Sequence, residues 1–269
     1  MNAALGRTAR HPRRQALIFI VLTSPVMFGS RYLPLPNGAV LVLLLLIATL
    51  LLLRFEGRGA AELGLDLSWR RVREFAGGLA GGAAIVLLIA ATLRVVLPFA
   101  WERNPHFELA ALGSAFLCFL TSNVAEELAF RGYGFDRLIA WIGHWPAQLV
   151  TAVLFAIGHL LMGWPWLAVL TGVPAGSLLF GLVFVRWRSL PAAIGVHVAF
   201  NWVRELLLED PARPATVFGP HSARMWTREE QILASLVFTA IALLVCVALA
   251  RSISSRRQIP PQAGTAPTL

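Results

Sequence analysis

Two adjacent carboxylates and an arginine interrupt a run of Leu, Ala, Val and Phe in NVAEELAFRGYGF, Asn123 to Phe135. An ionisable side chain inside a membrane span costs about 2.5–3.5 kcal/mol on insertion scales, so such a cluster must be paired or must face water. Glu127 and Arg131 are four residues apart with the glutamate first, a spacing that puts them on one helix face as a pair. Glu126 points about 100° away from Glu127 on a helix of 3.6 residues per turn. It is the carboxylate left free for chemistry. Two later apolar runs carry imidazoles. LFAIGHLL holds His159 with Phe155 one turn earlier, and GVHVAFNW puts His197 and Asn201 on one face at i,i+4. A carboxylate and an imidazole around one water make a general-base and general-acid pair. A second histidine and an asparagine can donate hydrogen bonds to a developing oxyanion. Glu126, His159, His197 and Asn201 thus describe hydrolysis of a peptide bond by an activated water, with Glu127, Arg131 and Phe155 in support. No serine-centred elbow and no H-E-x-x-H helix is present. No cofactor is expected, although Glu126, His159 and His197 leave a divalent metal such as zinc open. Each residue also has a structural reading: Glu127–Arg131 as a strut, His159 as a satisfied core histidine, His197–Asn201 as an interhelical clip.

The elements that must position these residues are membrane spans. The chain of 269 residues is 57% hydrophobic and 14% charged, against roughly 25% charged in soluble domains. Mean hydropathy is +0.70. The formal charge is +9, and every basic residue is arginine. These arginines fall in short segments between apolar runs, the pattern of membrane topology rather than of a nucleic-acid surface. The all-arginine usage points to a GC-rich bacterial genome, and with the apolar runs the expected location is a bacterial cytoplasmic membrane. Cys118 and Cys246 both lie in apolar runs and are expected to be free thiols.

With about 20 apolar residues needed per crossing, eight spans are expected: Ala16–Leu33, Ala39–Leu53, Ala76–Phe99, Leu109–Ala140, Pro146–Gly163, Trp166–Trp187, Leu190–Leu208 and Gln231–Ala250. The basic N-terminus reads as leading into an uncleaved first span. Residues 1–257 form one all-α membrane domain with a catalytic core of about 109–208, and 258–269 read as a disordered tail. With the N-terminus inside, fifteen arginines lie on the inner side and five on the outer, which places both termini in the cytoplasm. Spans four and five form a hairpin turning near IGHWP. Glu126 and His159 are equidistant from its turn, so they share a depth if helix four runs unbroken to about Ala140. Gly77/Gly81, Gly78/Gly82 and Gly172/Ala175/Gly176 are close-packing positions. His11 and His144 read as interfacial, His106 and His221 as outer-loop residues, and most tryptophans, including Trp164 and Trp202, as interfacial anchors.

Three stretches together, EELAFRG, FAIGH and HVAFN, resemble the E-E-x-x-x-R, F-x-x-x-H and H-x-x-x-N motifs of the CAAX-protease and bacteriocin-processing (CPBP) family of intramembrane proteases. The resemblance covers about Leu109 to Trp202. It implies an eight-helix fold with a conical cavity open to the cytoplasm. It also implies a catalytic glutamate at Glu126, a catalytic histidine at His159, and oxyanion stabilisation by His197 and Asn201. The implied partners are the bilayer and a membrane-associated peptide or protein, cut near its C-terminus. The competing class is a non-catalytic immunity or scaffold protein, or a transporter. An inactive relative is expected to lose one of Glu126, His159 and His197, and a transporter to show internal repeats.

Overall fold

The computed structural model describes residues 11–29, 38–97, 101–210, 212–220 and 227–258. The architecture is all-α. Among the described residues, six helical stretches are long and apolar enough to cross a membrane. The first helices are α1 (Pro12–Gly29), α2 (Gly38–Phe55) and α3 (Trp69–Val96). They are followed by α4 (Leu109–Arg131), α5 (Tyr133–Ile142), α6 (His144–Leu161) and α7 (Trp166–Leu170). The last are α8 (Gly172–Trp187), α9 (Leu190–Leu208) and α10 (Arg228–Gln258). α1 and α9 fall outside the six. α9 is buried on most of its surface, so it meets protein instead of lipid and tolerates His197, Asn201, Arg204 and Glu205. A short antiparallel ribbon, β1 (Trp101–Arg103) with β2 (Phe218–Pro220), joins the loops before α4 and after α9.

Two expected helices are broken. The fourth does not run unbroken to Ala140. It ends at Arg131, Gly132 takes φ −76° and ψ −138°, and α5 begins at Tyr133. A Cβ at Gly132 would lie 2.2 Å from the Leu128 carbonyl oxygen. The straight hairpin therefore loses its premise, although its turn is where expected, at Gly143 with φ +84°. The sixth span divides at Thr171 into α7 and α8. At the other end of the chain, α10 continues to Gln258, one residue into the expected tail. Residues 259–269 and His221 lie outside the described residues.

α9 is the axis of the fold. Ser189 accepts from the Ala192 amide at 3.2 Å and Pro191 stands in its first turn, both favourable at a helix start. α9 then runs parallel to α3 at very close range. A Cβ at Gly78 would meet the Ala192 carbonyl oxygen at 2.3 Å, and one at Gly82 the Val196 oxygen at 2.5 Å. On α9, Gly195 is equally tight, 2.2 Å from the Phe75 oxygen. Of the glycine pairs read from sequence, Gly78/Gly82 forms the contact, while Gly77 and Gly81 face open space. α4 packs on the opposite side of α9, α8 lies beside it, and α8 in turn packs on α6 and α10.

The described ends of the chain lie on one face. Arg13 stands over the Trp141 ring at 5.5 Å, near the start of α6. Arg186 donates to Ser252 at 2.9 Å, near the end of α10. The same face carries a network tying the α2–α3 loop to α5 and to the α8–α9 turn. Asp136 accepts from Arg58 at 2.8 Å and from Arg188, while Glu56 accepts from Arg58 and Arg137, each at 3.3 Å, and from Tyr133. Beside it, Arg71 pairs with Asp66 and Glu74. Hydrogen bonds from Ser68 and Arg71 hold the Asp66 carboxyl below the usual range.

Candidate active site

A cavity of about 400 Å³ is lined by α3, α4, α6, α7, α8, α9 and α10. Glu126, Phe155, His159, His197 and Asn201 all line it. Three helices, α4, α6 and α9, thus deliver to one space the groups that the sequence placed on separate spans. Glu127 and Arg131, read as support, lie beneath it and are fully buried. The upper walls are apolar, with Ile89, Leu93, Phe119, Leu208 and Phe238.

The two neighbouring glutamates have different surroundings. The Glu126 side chain keeps 22% of its surface exposed, and its Oε2 lies 3.7 Å from His197 Nε2. Glu127 has none exposed. Its Oε1 accepts from Arg131 Nη1 at 3.1 Å and from His197 Nδ1 at 2.8 Å. Support for Arg131 was the expected role of Glu127; holding His197 is an additional one. Arg131 also donates to the Ser177 carbonyl at 3.1 Å and to its hydroxyl at 2.7 Å, and its guanidinium lies 4.7 Å from the Phe155 ring centroid. This buried cation therefore joins α4, α6 and α8.

Both imidazoles are oriented through Nδ1. The His159 Nδ1–H donates to the Phe155 carbonyl at 2.9 Å. A carbonyl can only accept, so the neutral ring presents an unprotonated Nε2. The His197 Nδ1–H likewise faces an acceptor, Glu127. Its ring stacks on Phe180 with centroids 4.0 Å apart and planes 21° apart. His159 sits between Phe155, at 4.4 Å, and the edge of Trp164, at 4.8 Å. Such contacts restrict an imidazole to one plane.

Asn201 donates to Asn123 Oδ1 at 3.1 Å. Asn123 is buried, and its Nδ2 lacks a partner among the described residues. Sequence reading passed over Asn123, Ser177, Phe180 and Trp164. A signal existed only for Asn123, which stands one turn before both glutamates and faces the α9 polar stripe. Trp164, read as an interfacial anchor, packs on His159, while Trp202 donates to the Leu112 carbonyl at 3.1 Å. Among the described residues, no three His, Cys, Asp or Glu side chains gather closely enough to hold a metal ion.

Residues 107–203 match the family model described as type II CAAX prenyl endopeptidase Rce1-like. This segment resembles that family. It contains Glu126, Glu127, Arg131, His159, His197 and Asn201, and the match supports a CAAX-protease-type enzyme acting on a peptide or protein at a membrane. No curated protein and no solved structure matches the chain.

From Glu126 and His197, the lining of the cavity runs to Leu93 and Leu208 at the C-terminal ends of α3 and α9, to Trp164 and Thr171, and to Ala234 near the start of α10. These positions lie away from the arginine-rich face that holds the described chain ends.

Proposed function

We propose that the protein is an intramembrane endopeptidase of a bacterial cytoplasmic membrane, with Glu126 activating water and His159 assisting. The observation that carries this reading is the convergence of Glu126, His159, His197 and Asn201 on one cavity with both histidines held by Nδ1. Glu126 takes a proton from a water as the water oxygen attacks the scissile carbonyl carbon. The carbonyl oxygen becomes the oxyanion. Asn201, which spends one amide hydrogen on Asn123, keeps a second to donate to it. His197 donates from Nε2 as well when the ring is an imidazolium. In that state Glu126, Glu127, Arg131 and His197 sum to zero charge, which suits a low-dielectric floor. Collapse of the tetrahedral species breaks the C–N bond, and the proton taken by Glu126 passes to the leaving amine directly or through His159 Nε2. The substrate is a membrane-associated peptide or protein, cut near its C-terminus.

Isotope incorporation tests the chemistry. Purified protein incubated with a membrane peptide extract in ¹⁸O-water should leave one ¹⁸O in each newly formed C-terminal carboxylate. Glu126→Gln should leave none. Activity should persist in strong chelator. Loss of activity together with stoichiometric zinc, and its return on adding zinc, would replace the glutamate mechanism with a metal-dependent one.

A further inference from the structure

We infer that the bond is cut from the extracytoplasmic side, so that the substrate is a membrane-anchored chain whose cleaved segment reaches the site from that side. This deepens the endopeptidase reading and rests on it. Three independent placements lead there. α9 fixes the depth. His197 stands seven residues after Leu190, about 10 Å along the axis at 1.5 Å per residue. Eleven residues remain to Leu208, about 16 Å, and the cavity follows that longer stretch through Asn201, Arg204 and Leu208.

His159 agrees from another helix. α6 starts on the arginine-rich face, and His159 lies two residues from its far end, followed by Trp164, which is 41% exposed. The site is thus nearer the far face along α6.

The opposite direction is closed. Beneath Glu126 and His197 lie Glu127, Arg131 and Ser177, each 1% exposed or less. Tyr133, Phe135 and Phe184 are buried below them. A peptide has no route through this floor from the arginine-rich face.

The third placement is the charge asymmetry. Among the described residues, thirteen loop and helix-end arginines fall on the face of the described chain ends, and Arg103, Arg213 and Arg228 fall on the other. Arginine excess marks the cytoplasmic side, so the cavity faces outward. The apolar walls contributed by Ile89, Leu93, Phe119 and Phe238 suit apolar side chains of an extended segment. The polar floor receives its backbone.

Cysteine accessibility decides the matter without reference to catalysis. In a Cys118→Ser, Cys246→Ala background, Ser235→Cys and Thr171→Cys report the cavity, and Arg70→Cys, 71% exposed, reports the arginine-rich face. Intact cells are treated with a membrane-impermeant maleimide, then permeabilised and treated again. The expected result is labelling of Ser235→Cys or Thr171→Cys in intact cells and of Arg70→Cys only after permeabilisation. The reverse pattern overturns the inference, as does a cavity cysteine unreactive in both conditions while Arg70→Cys reacts. Labelling as expected, combined with no ¹⁸O incorporation, would leave the topology standing and remove the endopeptidase reading instead.

Discussion

Two buried charge clusters lie at different depths of this molecule, and their carboxylates are treated differently. On the arginine-rich face both oxygens of Asp136 and both of Glu56 have partners, supplied by Arg58, Arg137, Arg188 and Tyr133. At the cavity floor Glu126 has one imidazole 3.7 Å away, Glu127 Oε2 has no partner among the described residues, and neither has Asn123 Nδ2. Burying a carboxylate is expensive in both places. The first cluster offsets that cost with a full set of ion pairs and joins three segments. The second leaves polar capacity unused at a cavity whose lining includes Glu126 and Asn123, where a substrate and a water can meet them. Incomplete satisfaction next to open space separates a site from a strut better than the presence of charge.

The comparison is broken most severely at Glu126. Glu126→Gln should lower turnover by about 10²–10⁴-fold, the span of general acid–base catalysis, with the thermal midpoint in detergent unchanged. A variant that cleaves normally removes the proposed base.

Next come the two carboxylates that hold charge networks. Glu127→Gln strands Arg131, and Asp136→Asn takes a shared carboxylate from Arg58 and Arg137 and, among the described residues, the one carboxylate partner of Arg188, so each should destabilise by about 3–5 kcal/mol, read by thermal or denaturant unfolding in detergent. They should differ in activity. Folded Asp136→Asn should cleave at the wild-type rate, whereas folded Glu127→Gln should be slowed, because His197 loses the negative charge of its Nδ1 partner. Equal loss of activity in both would erase the distinction between the clusters.

A smaller change is expected at the donors. Asn201→Ala should reduce kcat by about 10²-fold with little change in KM, since its donor serves an oxygen that is charged only in the transition state. Asn123→Ala should lower kcat in the same direction by freeing the Asn201 amide to turn. A rise in KM alone would make these asparagines binding groups.

The smallest effect belongs to the periphery of the balanced face. Arg70, 71% exposed, pairs with Glu74 at 2.8 Å, and Arg70→Ala should change stability by about 1 kcal/mol or less.

Much of this arrangement was readable in the residues. Apolar runs locate the helices, and the i,i+4 spacings of Glu127–Arg131 and His197–Asn201 give the faces. The 100° offset between adjacent glutamates separates the carboxylate lining the cavity from the buried one. What escaped depends on where helices stop and what crosses between them. Gly132 and Thr171 break two spans through backbone contacts that composition does not encode. Ser177 and Phe180 meet Arg131 and His197 only because α8 lies beside α4 and α9. The direction of the cavity follows from helix packing, which the arginine pattern alone does not supply.

The central claim is that Glu126 and His159 perform hydrolysis while the balanced cluster only supports the fold. Terminus-resolved mass spectrometry of membranes from strains carrying wild type, Glu126→Gln, His159→Ala and Asp136→Asn tests it most directly. The account predicts at least one membrane peptide terminus present in wild type and Asp136→Asn and absent from both site variants, with its uncut precursor accumulating there. Identical termini in all four strains, with each protein present in the membrane, would contradict it.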